Sequence, residues 1–89
     1  MRAPDRPDEP ARRQVVLYTR PGCHLCDDAR AVLLEARART PFDLREVDIE
    51  SSDSLLREFG VRIPVVVIDG SEAFEYTVDP GELEASLRR

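Results

Sequence analysis

The stretch VVLYTRPGCHLCDDARAVL, residues 15–33, contains an apolar run, a proline-glycine turn and two cysteines at the start of a helix-like pattern. Residues 14–19, QVVLYT, form a β-branched apolar run of the kind that makes a buried strand. After Pro21 and Gly22, apolar residues recur at helical spacing from residue 24 to about residue 38. The stretch therefore predicts a strand, a tight turn and an amphipathic helix that begins beside the cysteines.

Two further elements follow the first predicted helix. Residues 42–49, FDLREVDI, alternate apolar with charged side chains and predict a second strand. Ser51 or Ser52 is suited to the N-cap of a short helix, and Gly60 stands where the C-terminus of that helix favours a left-handed residue. The sequence therefore predicts a short second helix that ends at Gly60.

A hairpin and a third helix complete the predicted order. Residues 64–69, PVVVID, predict an apolar strand, and residues 73–78, AFEYTV, predict its antiparallel partner. The DG pair at 69–70 is a hairpin signal, and the segment from Asp79 onward is typical of a helix start. Helix-joined strands lie parallel and hairpin strands lie antiparallel. The order β-α-β-α-β-β-α thus predicts an α/β fold with a four-stranded mixed sheet flanked by helices.

Length and composition limit the functions that suit this chain. Its 89 residues are enough for one domain, with a polar tail at residues 1–13 that we expect to be disordered and a folded domain at residues 14–89. The net charge of −5, with no lysine, is unfavourable for binding nucleic acid. Neither a signal peptide nor a membrane-spanning apolar run is recognisable, so we expect a cytoplasmic protein.

The two cysteines are too few for a secreted disulfide framework or for structural zinc. A small secreted domain normally carries several cysteine pairs at wide spacings. Structural zinc needs about four ligands, and the chain supplies Cys23, Cys26 and His24 without a second ligand pair. We therefore expect no metal, and we interpret the pair as a working dithiol.

The predicted strand-to-helix turn makes Cys23 the reactive thiol of the pair. Backbone N–H groups at a helix N-terminus have no intrahelical partner, and their partial positive charge stabilises a thiolate. Because the thiolate is the attacking species, we expect the pKa of Cys23 to lie below the value of about 8.5 for a free cysteine. Cys26, one turn into the helix, is placed to attack a mixed disulfide on Cys23. The predicted catalytic residues are therefore Cys23, as nucleophile, and Cys26, as resolving thiol.

Charged residues around the pair have opposing effects. Arg20 lies just before the turn and adds positive charge near the sulfurs, whereas Asp27 and Asp28 oppose a neighbouring anion. His24 either stabilises the thiolate when protonated or is a solvated residue without that role, and the sequence favours neither reading. We expect His24 and Leu25, between the two cysteines, to tune the reduction potential.

Three separated features carry a resemblance to a known family. They are the strand-turn-Cys-x-x-Cys-helix stretch with VDIE at 47–50, the segment EFGVRIPVVVIDG at 58–70, and the β-β-α ending. Together they resemble glutaredoxins and, more closely, the glutaredoxin-like family of small prokaryotic proteins within the thioredoxin fold superfamily. The resemblance covers residues 14–88 and implies a thioredoxin-like fold.

The resemblance also implies roles for residues away from the cysteines. It implies a cis peptide bond before Pro64, in a loop beside the dithiol, where the backbone of Ile63 pairs with the bound substrate. It places Arg20 near a carboxylate of glutathione. The Gly-Gly turn that holds the other carboxylate in glutaredoxins is replaced by residues 77–80, TVDP, which leave Asp79 and a helix N-terminus for that role. The implied substrate-binding residues are Arg20, His24, Leu25, Ile63, Pro64 and Asp79.

The residues and the resemblance together predict a small thiol-disulfide oxidoreductase, an enzyme of cell redox homeostasis. Its expected substrates are disulfides of proteins or glutathione mixed disulfides, and a thiol reductant or a reductase is expected to reopen the protein's own disulfide. No tightly bound cofactor is expected, and glutathione is a candidate co-substrate. We expect a monomer without nucleic-acid or membrane partners. Two alternatives stay open: a non-catalytic thioredoxin-fold interaction module, and glutathione-dependent iron–sulfur cluster binding through Cys23.

Overall fold

Four strands, three α-helices and one short 3₁₀ turn make up the described part of the computed structural model, which covers residues 12–88. In chain order they are β1 (Gln14–Thr19), α1 (His24–Arg39), β2 (Asp43–Asp48), the 3₁₀ turn (Ile49–Ser51), α2 (Asp53–Phe59), β3 (Val65–Ile68), β4 (Ser71–Glu75) and α3 (Pro80–Arg88). The predicted order of strands and α-helices is confirmed.

The four strands form one mixed sheet in the order β2-β1-β3-β4. β1 lies parallel to β2 because α1 joins them, whereas β3 is antiparallel to both β1 and β4. Thr19 at the end of β1 is opposite Asp48 at the end of β2, and Val65 at the start of β3 is opposite Tyr18. These residues define one edge of the sheet, called here the dithiol edge, because Cys23 follows β1 there.

Each face of the sheet carries an apolar cluster. On one face, residues of β1 and β3 pack against α1 and α3, with Leu17, Leu33 and Leu83 completely buried. On the other face, Ile49 and Phe59 pack against Val65, together with half-buried residues of α2. Because successive side chains of a strand point to opposite faces, β3 needs apolar residues throughout. The expectation of helices on both faces is confirmed.

The β3–β4 hairpin turns at the predicted place, but its second strand is shifted from the prediction. Asp69 and Gly70 have φ values of 51° and 86°, the left-handed conformations of a tight hairpin turn. The predicted antiparallel strand is present, but its predicted bounds of 73–78 were wrong, because β4 occupies Ser71–Glu75. Tyr76 has a φ of 68°, which ends the extended backbone, and its N–H donates a hydrogen bond to the carbonyl oxygen of Pro64.

Gly60 ends α2 as predicted, but the predicted left-handed conformation was wrong. Its φ and ψ are −53° and −34°, so the backbone stays right-handed. The chain continues into another tight turn, in which the N–H of Arg62 donates to the carbonyl oxygen of Phe59. A Cβ atom at Gly60 would lie 2.5 Å from the carbonyl oxygen of Leu56. Glycine is therefore needed here for a close approach of backbone.

Most of the expected tail, residues 1–11, lies outside the described residues. Arg12 and Arg13, assigned to the same tail by the sequence, are described and contact the sheet. The guanidinium of Arg13 lies 2.7 Å from the Asp69 carboxylate. The backbone carbonyl oxygen of Arg13 accepts a hydrogen bond from the N–H of Asp43. None of the helices within residues 12–88 is both long and apolar enough to cross a membrane.

Candidate functional site

The two cysteines lie at the N-terminus of α1 and form a disulfide, with their Cα atoms 5.2 Å apart. Cys23 is the N-cap residue of the helix, and its sulfur accepts a hydrogen bond from the backbone N–H of Cys26 at 3.1 Å. Cys26 is completely buried, whereas Cys23 is partly exposed. The accessible sulfur of the pair is therefore that of Cys23, which also lies at the positive end of the helix.

The residues between and after the cysteines are exposed. His24 points to solvent, and Leu25 is 44% exposed, which leaves an apolar side chain on the surface beside Cys23. Asp27 accepts a hydrogen bond at 2.8 Å from Arg30, which also binds Glu46 of β2. The hydrogen bond to Glu46 raises the pKa of Arg30 above its ordinary value, and the hydrogen bond to Asp27 adds a smaller effect in the same direction. The charge of Asp27 is therefore partly compensated by an ion pair.

The loop before β3 contains a cis peptide bond between Ile63 and Pro64, as predicted. Pro64 is completely buried, and Ile63 packs at the edge of the cluster under α2. The next residue, Val65, is opposite Tyr18 near the end of β1. The register therefore places this loop at the dithiol edge, on the side of β1 opposite β2.

Arg62, immediately before this loop, is held by several partners that the sequence did not predict. Its guanidinium binds the carboxylates of Glu72 and Glu75 of β4 and lies over the ring of Phe59, 5.4 Å from the centroid. The hydrogen bond to Glu75 raises the pKa of Arg62, and the hydrogen bond to Glu72 adds a smaller effect in the same direction. Phe59 in turn stacks on Tyr18 with ring centroids 4.3 Å apart. Tyr18 is therefore partly a core residue.

Arg20, the predicted anion-binding residue, is already paired with a carboxylate. Its Nη2 and Nε atoms lie 2.9 Å and 3.2 Å from Oε2 of Glu50 in the 3₁₀ turn. The sequence did not predict the contact with Glu50, which is 30 residues away along the chain. The signal in the sequence that could have indicated this ion pair is the predicted topology. The parallel pairing of β1 with β2 brings the segments after both strands to one edge.

Asp79 caps α3, as its place before Pro80 predicted. Its Oδ2 accepts a hydrogen bond from the N–H of Glu82 at 2.8 Å. The hydrogen bond from Tyr76 to Pro64 ties the segment that leads to Asp79 to the start of β3. The side chain of Asp79 thus completes a helix terminus.

The dithiol edge gathers most of the predicted site residues. The chain path brings Arg20, His24 and Leu25 beside the cysteines, and the strand register brings Ile63 and Pro64 to the same edge. Their contact with a substrate stays a prediction. Among residues 12–88, no three histidine, cysteine or acidic side chains lie together as a metal-binding group.

Comparison with known proteins agrees with this architecture. The model of the family described as "Glutaredoxin-like domain (DUF836)" matches residues 14–88. An uncharacterized protein of Mycobacterium tuberculosis is 37% identical over 84 residues, which cover 89% of this chain and 87% of that protein.

Two solved structures extend the comparison to the fold. The solution structure of a Nitrosomonas europaea protein superposes with a TM-score of 0.78 and 29% identity, over 90% of this chain and 96% of that one. A mutant thioredoxin from Halobacterium salinarum has a TM-score of 0.64 and 20% identity, over 85% and 72% of the two chains. At that identity the thioredoxin supports the fold alone. With its family match over nearly all the described residues and its thioredoxin fold, the chain belongs to the family of glutaredoxin-like domains.

Proposed function

We propose that the protein is a thiol-disulfide oxidoreductase that reduces or exchanges disulfides of proteins or glutathione mixed disulfides. The observation that carries the proposal is the position of the Cys23 sulfur, partly exposed at the N-terminus of α1 and hydrogen-bonded to the N–H of Cys26 at 3.1 Å. Unpaired N–H groups and the helix dipole stabilise a thiolate at this position. A thiolate is the form of cysteine that attacks disulfides. Membership of a glutaredoxin-like family supports the same chemistry.

The reaction proceeds through a mixed disulfide on Cys23. The Cys23 thiolate attacks one sulfur of the substrate disulfide, a new S–S bond forms, and the other substrate sulfur leaves as a thiolate that takes a proton. Cys26 then loses its proton and attacks the Cys23 sulfur, which releases the second substrate thiol. The protein dithiol has given two electrons and two protons to the substrate and ends as the Cys23–Cys26 disulfide. A thiol such as glutathione, or a reductase, reopens that disulfide by the reverse exchange.

The buried position of Cys26 suits it to the second step. Its completely buried side chain keeps it from external disulfides, and its Cα lies 5.2 Å from that of Cys23, within the usual range for a bonded pair. The backbone of Ile63 is proposed to pair with the substrate chain, and the exposed Leu25 to contact apolar substrate groups. We expect the protein to act as a monomer in the cytoplasm.

A trapping experiment tests this function. Cys26→Ser retains the nucleophile but removes the thiol that releases it. After incubation with glutathione disulfide or a disulfide-bonded peptide, we expect intact-mass measurement to find a stable adduct on Cys23. The wild type should instead lose the adduct and become internally oxidised. Cys23→Ser is the matched control and should form no adduct, because the remaining thiol is buried.

If Cys26→Ser collects no adduct from either disulfide, the oxidoreductase proposal is wrong. The non-catalytic interaction module would then account better for the fold.

A further inference from the structure

We propose that Glu50 determines the charge selectivity of the dithiol: by holding Arg20 in an ion pair, it directs the protein to neutral or cationic disulfides and away from anionic ones. The proposal rests on the proposed disulfide exchange at Cys23 and ranks its substrates by charge: anionic disulfides, glutathione disulfide among them, react more slowly but still react. It follows from an ion pair that engages Arg20, the arginine nearest to Cys23 along the chain.

The ion pair lies at the edge where the substrate must approach. Arg20 directly follows β1 and Glu50 follows β2, two strands that end side by side. The Cα of Arg20 is three peptide units from that of Cys23, so the two atoms are at most about 11 Å apart. A guanidinium at this position is the group that an anionic substrate would use. Two of its nitrogens are already bonded to one oxygen of Glu50, at 2.9 Å and 3.2 Å.

The local structure holds Glu50 in place and adds further negative charge. The N–H of Glu50 donates a hydrogen bond to Oδ1 of Asp48 at 2.8 Å, which caps the 3₁₀ turn. The hydroxyl of Ser51 donates to the carbonyl oxygen of Asp48 at 2.6 Å. The backbone that carries Glu50 is therefore fixed by the turn. The Asp48 carboxylate also lies at the dithiol edge.

The other charged side chains near the cysteines give their surroundings a net negative charge. Asp28 is exposed two residues after Cys26, and Arg30 is engaged by Glu46 and Asp27. A disulfide that approaches the Cys23 thiolate thus meets carboxylates and an arginine that is neutralised by Glu50. Such a field attracts cations and repels anions, and it acts most strongly at low ionic strength.

Three small disulfides of similar size test the proposal directly. Cystamine carries two ammonium groups, bis(2-hydroxyethyl) disulfide is neutral, and 3,3′-dithiodipropionate carries two carboxylates. The reduced protein is mixed with each one at pH 7 and low salt, and the second-order rate constant of its oxidation is measured. We expect the wild type to react fastest with cystamine and slowest with dithiodipropionate.

Glu50→Gln is expected to free Arg20 and to lower the ratio of the cystamine rate to the dithiodipropionate rate. We expect a decrease of about threefold to tenfold, the size of a change of one charge at a solvent-exposed site. The double variant Arg20→Gln, Glu50→Gln should restore most of the ratio, because it removes the freed cation. Glu84→Gln is the matched control, since Glu84 pairs with Arg39 at the C-terminal end of α1. It should leave the ratio unchanged.

The ratio separates selectivity from reactivity, because a change in the nucleophile itself alters all three rates alike. Equal ratios in the wild type, Glu50→Gln and Glu84→Gln would overturn the role of Glu50. So would a uniform change of all three rates in Glu50→Gln. A wild type that reacts with none of the three disulfides would instead refute the proposed function.

Discussion

The sulfur of Cys23 occupies the N-cap position of α1, where a side-chain oxygen is the commoner acceptor. The sequence predicted that Cys23 begins the helix, but not that its own sulfur caps it, because that contact depends on the side-chain rotamer. An ionised acceptor makes a stronger hydrogen bond than a neutral one. The hydrogen bond from the N–H of Cys26 at 3.1 Å should therefore strengthen when the disulfide is reduced to a thiolate.

Gly60 provides a residue-scale prediction about stability. An alanine Cβ there would lie 2.5 Å from the carbonyl oxygen of Leu56, a backbone atom that cannot turn aside. Gly60→Ala should therefore lower the free energy of unfolding by about 1–3 kcal/mol, the usual cost of overpacking. Urea denaturation followed by circular dichroism measures the change.

Gly81→Ala is the control for that substitution. The nearest atom to an alanine Cβ there is Oδ2 of Asp79 at 3.3 Å, on an exposed side chain that needs to move by only a few tenths of an ångström and so keeps its hydrogen bond to the N–H of Glu82. Alanine also favours a helix over glycine by about 0.5–1 kcal/mol. We expect little change or a small gain in stability. Equal destabilisation by the two alanines would contradict the steric account of Gly60.

The hairpin between β3 and β4 is joined to the start of β1 by a carboxylate. Oδ1 of Asp69 accepts a hydrogen bond from the N–H of Gln14 at 2.9 Å, and its Oδ2 lies 2.7 Å from Arg13. Both contacts lower the pKa of Asp69, and the backbone hydrogen bond from Gln14 has a larger effect than Arg13. A carboxylate with a lowered pKa stabilises the fold above its unfolded-state pKa of about 3.9 and loses this effect as the pH falls through the folded-state pKa.

Asp69→Asn isolates this charge, because asparagine also tolerates the φ of 51° at this position. The variant should be less stable than the wild type at pH 7 and pH 5. The difference should shrink below about pH 4, where the unfolded chain takes up a proton that the folded protein, with its lowered pKa, binds only at a lower pH. Urea denaturation at each pH is the measurement, with Glu35→Gln, an exposed helix position, as control. A difference independent of pH would show that the charge of Asp69 is not the cause.

The elements differ in how well their boundaries follow from the sequence. β1 begins and ends where its apolar run does, and α1 begins just after Cys23, because strong local signals agree there. The last strand ends earlier than its alternation predicted, since the left-handed backbone of Tyr76 and its hydrogen bond to Pro64 are long-range features. Tertiary contacts of this kind override a local pattern.

Ion pairs between distant segments were the part of the site that the sequence did not predict. The pair of Arg20 with Glu50 spans 30 residues, and Arg62, in the loop before β3, reaches Glu75 of β4 13 residues later. Both depend on which strands pair and on side-chain rotamers. The cysteines were predictable because adjacent residues define them, and the cis-proline loop was predictable from the resemblance to glutaredoxins.

The whole molecule places reactive and polar groups at one edge of a sheet that carries an apolar cluster on each face. Parallel pairing of β1 with β2 and antiparallel pairing with β3 bring three chain segments to the dithiol edge. The helix that carries the cysteines is anchored by completely buried Cys26 and Leu33. The sheet therefore fixes the position of the Cys23 sulfur, while one side of it stays open to a substrate.

The most direct test of the central claim is the alkylation rate of each thiol in the fully reduced protein. Limiting iodoacetamide is added between pH 5 and pH 8, and peptide mass mapping follows Cys23 and Cys26 separately. A helix-stabilised, accessible thiolate predicts that Cys23 reacts at least about tenfold faster than Cys26 at pH 7. In 8 M urea, where α1 is unfolded, the two rates should become similar. Slow and equal labelling of both cysteines in the folded protein would contradict the account.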